Sequence, residues 1–147
     1  MKVANYMVED VITLSPNKSF EEILALFRRE SFDCLPVVDN ERRLLGVVSR
    51  TDLLKIFVPE YFALIDDISF IKDFGAMEVD HKSAEMMERL LVAGDIMTTK
   101  VITITADSSL FKAVALMRKY NIRVIPVVEG EKLVGIISRT DLMKAFL

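Results

Sequence analysis

The sequence predicts an α/β (α+β) fold in which two β-α-β-β-α repeats pack sheet to sheet with pseudo-two-fold symmetry around a helical linker insertion. Three observations predict this architecture. The chain repeats itself at a nearly fixed displacement, each copy combines one helical and two extended apolar patterns, and a segment of different composition separates the copies. With 147 residues, 52% of them apolar, the chain can form two small halves that share a core.

The repetition is clearest where strands are expected. Leu35-Pro36-Val37-Val38 returns 90 residues later as Ile125-Pro126-Val127-Val128. The segment 44–53 returns as 133–142, displaced by 89 residues. The slip of one residue falls in stretches rich in Asn, Gly and charge, which we predict to be turns. We therefore assign residues 1–58 to the first repeat, 59–94 to an acidic linker, and 95–147 to the second repeat.

Each repeat begins with a short extended piece, at residues 12–14 and 102–104, followed by an amphipathic helix. Apolar residues recur at i, i+3, i+4 and i+7 from Phe20 in the first copy and from Leu110 in the second. Ser19, with a glutamate three residues later, predicts a capping box at the start of the first helix.

Two apolar, β-branched strands follow in each repeat, and the short turn between them predicts antiparallel pairing. A second helix then follows Ser49 and Ser138. The predicted strand pairs are Cys34–Val38 with Leu44–Val48, and Val124–Val128 with Leu133–Ile137.

The linker carries its own helical pattern. Apolar residues recur every three positions from Phe62 to Ile71, and 84–92 suits a second helix, for which Gly94 is a plausible stop. We expect these apolar residues to pack on the repeats or on a second subunit.

Charge and composition exclude several classes of protein. The net charge of −3 combines a strongly acidic linker with a basic excess in the second repeat, without the dense Lys/Arg stripe of a nucleic-acid surface. No apolar run approaches the ~18–20 residues of a membrane span. The single cysteine, Cys34, excludes an internal disulfide framework. We expect a soluble cytoplasmic protein without nucleic-acid or membrane partners.

The motif that could carry a binding role is Gly46-Val47-Val48-Ser49-Arg50-Thr51-Asp52, which returns as 135–141. In both copies it lies at a predicted strand-to-helix junction. In a purely structural interpretation, the serine caps the helix, the aspartate completes a capping box, and the glycine permits close backbone approach. Arg50 and Arg139 fit this interpretation less well, because a helix N-terminus disfavours a cation. A bound anion would explain them. Alternatively, a local carboxylate or inheritance from a duplicated ancestor would explain them.

The repeats resemble CBS domains, the modules named after cystathionine β-synthase, arranged as a tandem pair or Bateman module. The matching residues are Met97-Thr98, Val101-Ile102-Thr103, Leu116-Met117-Arg118, 122–128 and 133–142, with their first-repeat counterparts. The resemblance implies a regulatory module, not an enzyme, that binds AMP, ADP, ATP or S-adenosylmethionine in clefts between the repeats. It further implies a homodimer and a separate effector protein, with no catalytic cofactor.

The resemblance also implies roles for particular residues. Asp52 and Asp141 would hold the ribose hydroxyls, and Ser49 and Ser138 would lie near phosphate, with the adjacent arginines neutralising it. Adenine would contact residues 11–13 and 101–103 and those at the two prolines. The predicted ligand-binding residues are Val11, Ile12, Thr13, Leu35, Pro36, Ser49, Arg50, Thr51 and Asp52, with Val101, Ile102, Thr103, Ile125, Pro126, Ser138, Arg139, Thr140 and Asp141.

The two copies differ in charge, and this difference ranks the clefts. The second repeat has Arg123 where the first has Asp33, and 98–100 (Thr-Thr-Lys) where the first has 8–10 (Val-Glu-Asp). We therefore expect the Asp141 cleft to be the better anion site.

Other candidates are weaker, and three function classes remain. We expect Cys34 to be a buried structural thiol, His81 to be solvated, and the acidic cluster Asp66, Asp67 and Asp73 to be exposed surface without a metal. The classes are a ligand sensor, a ligand-independent dimerisation scaffold with vestigial clefts, and an enzyme such as a nucleotide hydrolase. The third is disfavoured because the sequence offers no base–nucleophile pair.

Overall fold

The computed structural model describes residues 1–57 and 89–147. In these ranges, the β-α-β-β-α order is confirmed in both repeats. The elements, in chain order, are a 3-10 turn at Val3–Asn5, α1 at Phe20–Arg29, β1 at Cys34–Val38, β2 at Leu44–Ser49, α2 at Arg50–Phe57, α3 at Ala93–Ile96, α4 at Leu110–Tyr120, β3 at Val124–Glu129, β4 at Lys132–Ser138 and α5 at Arg139–Phe146.

Serine side chains start the first helix of each repeat. Ser19 is in extended conformation and its hydroxyl accepts the backbone N–H of Glu22, while Ser109 does the same for Lys112. The helix α4 ends at Asn121, whose left-handed backbone (φ 52°) is one that asparagine tolerates. Local capping thus fixes where each amphipathic helix begins.

Each repeat contains an antiparallel hairpin, β1–β2 or β3–β4, with matching register. Pro36 pairs with Val47 and Pro126 with Ile136, and both registers shift by a bulge directly after Val37 and Val127. The short extended piece at the start of each repeat adds a single parallel bridge to its hairpin, from Leu14 in the first repeat and from Ile104 in the second.

The core consists of two clusters, and each contains a residue from the segment leading into the other repeat. The cluster of the first repeat includes Phe20, Ile23 and also Ala93, while that of the second includes Leu110 and also Val3. The segments 3–8 and 93–98 therefore exchange places. We call them the exchanged segments.

Backbone hydrogen bonds extend each exchanged segment along the partner hairpin. Val8 and Ile136 exchange N–H···O bonds of 2.8 and 2.9 Å, and Thr98 and Val47 exchange bonds of 2.8 and 3.0 Å. At the opposite end, the two hairpin turns join, because the N–H of Leu44 donates to the carbonyl of Glu131. The repeats are thus tied together by backbone at both ends.

The prediction for Gly94 is wrong, and most of the predicted helical pattern of the linker is not tested. Gly94 does not stop a helix, because it is the second residue of α3, and its N–H donates to the carbonyl of Pro16 at 2.9 Å. The predicted helical pattern from Phe62 to Ile71, and most of 84–92, lie outside the described residues. Within the described ranges, no helix is long and apolar enough to cross a membrane.

Replacing Gly46 by alanine tests the exchange. A Cβ there would lie 2.7 Å from the carbonyl oxygen of Thr98 and 2.9 Å from the sulfur of Met97. Gly46→Ala should lower the free energy of unfolding by about 1–3 kcal/mol in urea titrations, because the exchanged segment must shift. The control is Gly130→Asn, where φ is +63° and no atom lies within 4 Å of a Cβ. Equal stability of both variants would contradict the close approach.

Candidate functional site

Both predicted strand-to-helix junctions form the same hydrogen-bonded cap. The carboxylate Oδ2 of Asp52 accepts the N–H and the hydroxyl of Ser49, each at 2.9 Å, while the Ser49 hydroxyl accepts the N–H of Asp52 at 3.1 Å. Ser138 and Asp141 repeat this arrangement at 2.8, 2.8 and 3.2 Å. Each aspartate is 8% exposed, so the cap holds its carboxylate rigidly. The structural interpretation of the motif is therefore confirmed.

The two carboxylates differ in what their second oxygen meets. Thr98, from the exchanged segment, donates its hydroxyl to Oδ1 of Asp52 at 2.9 Å. The residue that takes the same backbone position beside β4 is Val8, which has no side-chain donor. A hydrogen bond that crosses between the repeats thus orients Asp52, while Asp141 has no equivalent bond from a described residue.

A cavity of about 510 Å³ opens beside Asp52, between the two repeats. This volume falls within the usual range of small-molecule pockets. The first repeat contributes its strand-to-helix junction and the start of β1, and the second contributes the exchanged segment and the region from the end of α4 into β3. The lining residues are Asp33, Cys34, Val47, Ser49, Arg50, Thr51 and Asp52, with Thr98, Lys100, Val101, Ile102, Asn121, Ile122, Arg123, Val124 and Pro126.

Among the described residues, the charged side chains that line the cavity are three cations, Arg50, Lys100 and Arg123, and two carboxylates, Asp33 and Asp52. Arg50 donates from Nε to the backbone carbonyl of Phe32 at 2.7 Å, which helps to explain a cation in the first turn of α2. Arg123 lies 3.7 Å from Asp33 in an exposed ion pair of little energetic weight. Lys100 and Arg123 are exposed and can meet an anion that enters the cavity.

The cavity also includes Cys34. The sequence predicts a buried thiol, but the residue is half-buried. Burial, with the nearby carboxylates of Asp33 and Asp52, raises the pKa of its thiol to about 11. The thiol stays protonated at neutral pH, which argues against a nucleophile and fits a structural part of the wall.

The structure separates the predicted ligand-binding residues into groups. Seven of them line the cavity: Ser49, Arg50, Thr51, Asp52, Val101, Ile102 and Pro126. Leu35 and Ile125 are core residues with 2% and 0% exposure, so their side chains do not face the cavity. Thr103 lines a second cavity of about 420 Å³ at the joined hairpin turns. The others, Val11, Ile12, Thr13, Pro36, Ser138, Arg139, Thr140 and Asp141, line neither of these two cavities.

The residues predicted to favour an anion in the Asp141 cleft, Thr98, Lys100 and Arg123, do not line a cavity with Asp141. All three belong to the second repeat, which is why sequence order groups them with Asp141. The exchange instead brings Thr98 and Lys100 to Asp52, and Arg123 also reaches this cavity. The sequence differences between the copies pointed to these residues, but chain order grouped Thr98 and Lys100 with Asp141, whereas the structure places them beside Asp52.

The structure does not test the remaining candidates. His81 and the cluster Asp66, Asp67 and Asp73 are outside the described residues. Among residues 1–57 and 89–147, no group of three or more His, Cys, Asp or Glu side chains is arranged to hold a metal ion.

Comparisons with known proteins agree with this architecture. The family model described as "CBS domain" matches residues 3–59 and 93–147. The uncharacterized protein MJ1426 of Methanocaldococcus jannaschii is 30% identical over 159 residues, covering 100% of this chain and 92% of that protein. The uncharacterized protein MJ1404 of the same organism is 34% identical over 144 residues, covering 97% of this chain but only 31% of its own length.

A solved structure resembles the whole chain. The crystal structure of CBSX2 in complex with AMP has a TM-score of 0.73 and 25% identity, and the match covers 99% of this chain and 95% of that one. The similarity includes both repeats, so the pairing of repeats is part of the shared fold.

The raised pKa of Cys34 predicts a characteristic pH profile. In the folded protein, alkylation by iodoacetamide should keep rising by about tenfold per pH unit through pH 10, because the thiolate is the nucleophile. In urea, the rate should level near the ordinary pKa of 9.0. Since the folded state keeps a proton that the unfolded state loses, this group's contribution to stability falls as pH rises from about 9 to about 11. A folded-state plateau at or below pH 9 would contradict this assignment.

Proposed function

Because the chain belongs to the CBS domain family and contains two copies of the domain, we propose that it is a regulatory module that binds an adenosine-containing ligand in the Asp52 cavity. Its output would pass to a separate effector protein through a change of the repeat pair. We expect binding without turnover.

The observation that carries this proposal is the cavity built around a rigid carboxylate. Ser49 donates two hydrogen bonds to Oδ2 of Asp52 and Thr98 donates one to Oδ1, so about one acceptor site, on Oδ1, is left for a ribose hydroxyl. A carboxylate already fixed by its neighbours loses little conformational entropy when a ligand binds. The cap therefore serves both the helix and the proposed ribose site.

The rest of the cavity matches the other parts of such a ligand. Val47, Val101, Ile102 and Val124 offer apolar surface for a purine, and Lys100 and Arg123 offer positive charge for a phosphate. The complex of CBSX2 with AMP supports the same ligand class by similarity. AMP, ADP, ATP and S-adenosylmethionine are the ligands that we would compare first.

Assembly forms part of the proposal. The last helix of each repeat exposes large apolar side chains, namely Leu54 at 64%, Met143 at 60% and Phe146 at 47%. Apolar surface of this kind on an eight-residue helix favours burial against another chain. We propose that two chains associate through α2 and α5.

Asp52 and its symmetry mate provide the binding test. Asp52→Asn keeps side-chain volume and an oxygen for the cap but removes an anionic acceptor. It should weaken AMP binding in calorimetry about tenfold or more, since hydrogen bonds to charged groups contribute about 1.5–3 kcal/mol. Asp141→Asn, with the same cap, is the control for helix stability and should leave the Asp52 cavity intact. Absence of binding by the folded wild type to all four ligands would favour the scaffold alternative.

Light scattering tests the assembly. The wild type should have the mass of two chains of 16.7 kDa each. Placing lysine at both Leu54 and Met143 should shift the mass toward one chain, because desolvating a charge opposes burial. Tyr120→Lys, at the end of α4, is the matched control and should leave the mass unchanged. A wild-type protein with the mass of one chain at high concentration would rule out the dimer.

A further inference from the structure

The exchanged segments continue into the clefts with the same backbone course in both repeats. Val8 bridges Ile136 as Thr98 bridges Val47. The N–H of Val11 donates to the carbonyl of Glu9 at 3.1 Å, and the equivalent bond from residue 101 to residue 99 has the same length.

The equivalence of the two segments extends to the parallel bridges at Leu14 and Ile104 and to the close backbone approaches at Gly135 and Gly46. Leu14 donates to the carbonyl of Pro36 as Ile104 donates to that of Pro126, at 2.8 and 3.1 Å. The carbonyl oxygen of Val8 lies 2.8 Å from where a Cβ at Gly135 would be. The carbonyl oxygen of Thr98 lies 2.7 Å from where a Cβ at Gly46 would be. Residues 8–14 and 98–104 are therefore structural equivalents.

This equivalence places Asp10 in the Asp141 cleft where Lys100 stands in the Asp52 cavity. Both side chains are exposed. The other charged positions do not distinguish the clefts, because Asp52 and Arg50 correspond to Asp141 and Arg139. Asp33 and Arg123 correspond to each other and both line the Asp52 cavity. From the pseudo-two-fold relation between the repeats, we expect the same pair beside Asp141. Among the described residues, the clefts thus differ by the two charge units between a lysine and an aspartate.

We propose that the segments 8–10 and 98–100, each supplied by the opposite repeat, set the charge of the ligand that each cleft accepts. This inference rests on the proposed function. Lys100 makes the Asp52 cavity select a phosphorylated adenosine ligand. Asp10 makes the Asp141 cleft reject phosphate and accept an adenosine derivative that is uncharged or cationic.

The physical basis is the field at the phosphate end of each cleft. A phosphate near Lys100 gains a favourable interaction, and one near Asp10 meets a like charge that disfavours it. The nucleoside part meets similar apolar residues and an aspartate with the same serine cap in both clefts. The Thr98 bond to Asp52 affects AMP and adenosine alike, so it does not discriminate between them. The selectivity should weaken with salt, because both side chains are in contact with solvent.

Reciprocal charge changes test the proposal, with AMP and adenosine as probes in titration calorimetry. Wild type should bind one AMP per chain more tightly than adenosine. Lys100→Asp should weaken AMP binding by roughly tenfold or more at low salt while changing adenosine affinity by less than about twofold. Asp10→Lys should add a second AMP equivalent per chain.

Glu9→Lys is the matched control for Asp10→Lys. It makes the same change in net charge at an exposed neighbour. Its counterpart, Thr99, does not line the Asp52 cavity. This variant should therefore bind one AMP per chain, and thermal unfolding should verify that all variants are folded.

The outcomes separate the two proposals. If wild type binds AMP or adenosine but the AMP-to-adenosine ratio of Lys100→Asp and the stoichiometry of Asp10→Lys stay at wild-type values, the charge assignment is wrong and the proposed function stands. A second AMP equivalent in Glu9→Lys would also overturn the assignment, since net charge alone would then suffice. If folded wild type binds neither AMP nor adenosine, the charge assignment fails, and the proposed function fails as well if ADP, ATP and S-adenosylmethionine also do not bind.

Discussion

The exchange of the segments 3–8 and 93–98 between the repeats is the constraint on which the rest of the structure depends. Each segment places an apolar residue, Val3 or Ala93, in the core of the other repeat and then hydrogen-bonds along the other hairpin. A unit of about 50 residues buries a small fraction of its surface and is marginally stable by itself. The exchange makes each core incomplete without the other repeat, so the two fold as one unit.

The same constraint forms the cavity. The exchanged segment passes directly over Gly46, which brings the Thr98 hydroxyl within 2.9 Å of Asp52 and carries Lys100 to the edge of the cavity. Helix capping then serves two purposes, because the carboxylate that satisfies the start of α2 is also the group that faces the cavity. The proposed ribose site therefore uses the atoms that also cap the helix, and the duplicated motifs acquire different environments from a few residues that lie elsewhere in the sequence.

Much of the fold follows from local patterns. The helical periodicity from Phe20, the apolar runs of the hairpins and the Ser–Asp caps each depend on contacts within a few residues, and the structure has them where they are predicted. The glycines of the motif were expected to permit close backbone approach, and Gly46 and Gly135 do so. Gly94 was misjudged because glycine stops a helix only in a suitable context, and here it lies inside α3.

Periodicity and contacts between near neighbours specify the repeat, the elements and the residues of the capping motif. Which residues share a cleft depends instead on long-range packing between the repeats. Lys100 lies 48 positions beyond Asp52 yet lines the same cavity, while Asp141, in the repeat to which Lys100 belongs, does not line it. The physical reason is that burial of Val3 and Ala93 in the opposite cores fixes the path of the chain, and a repeat unit carries no local signal for that exchange.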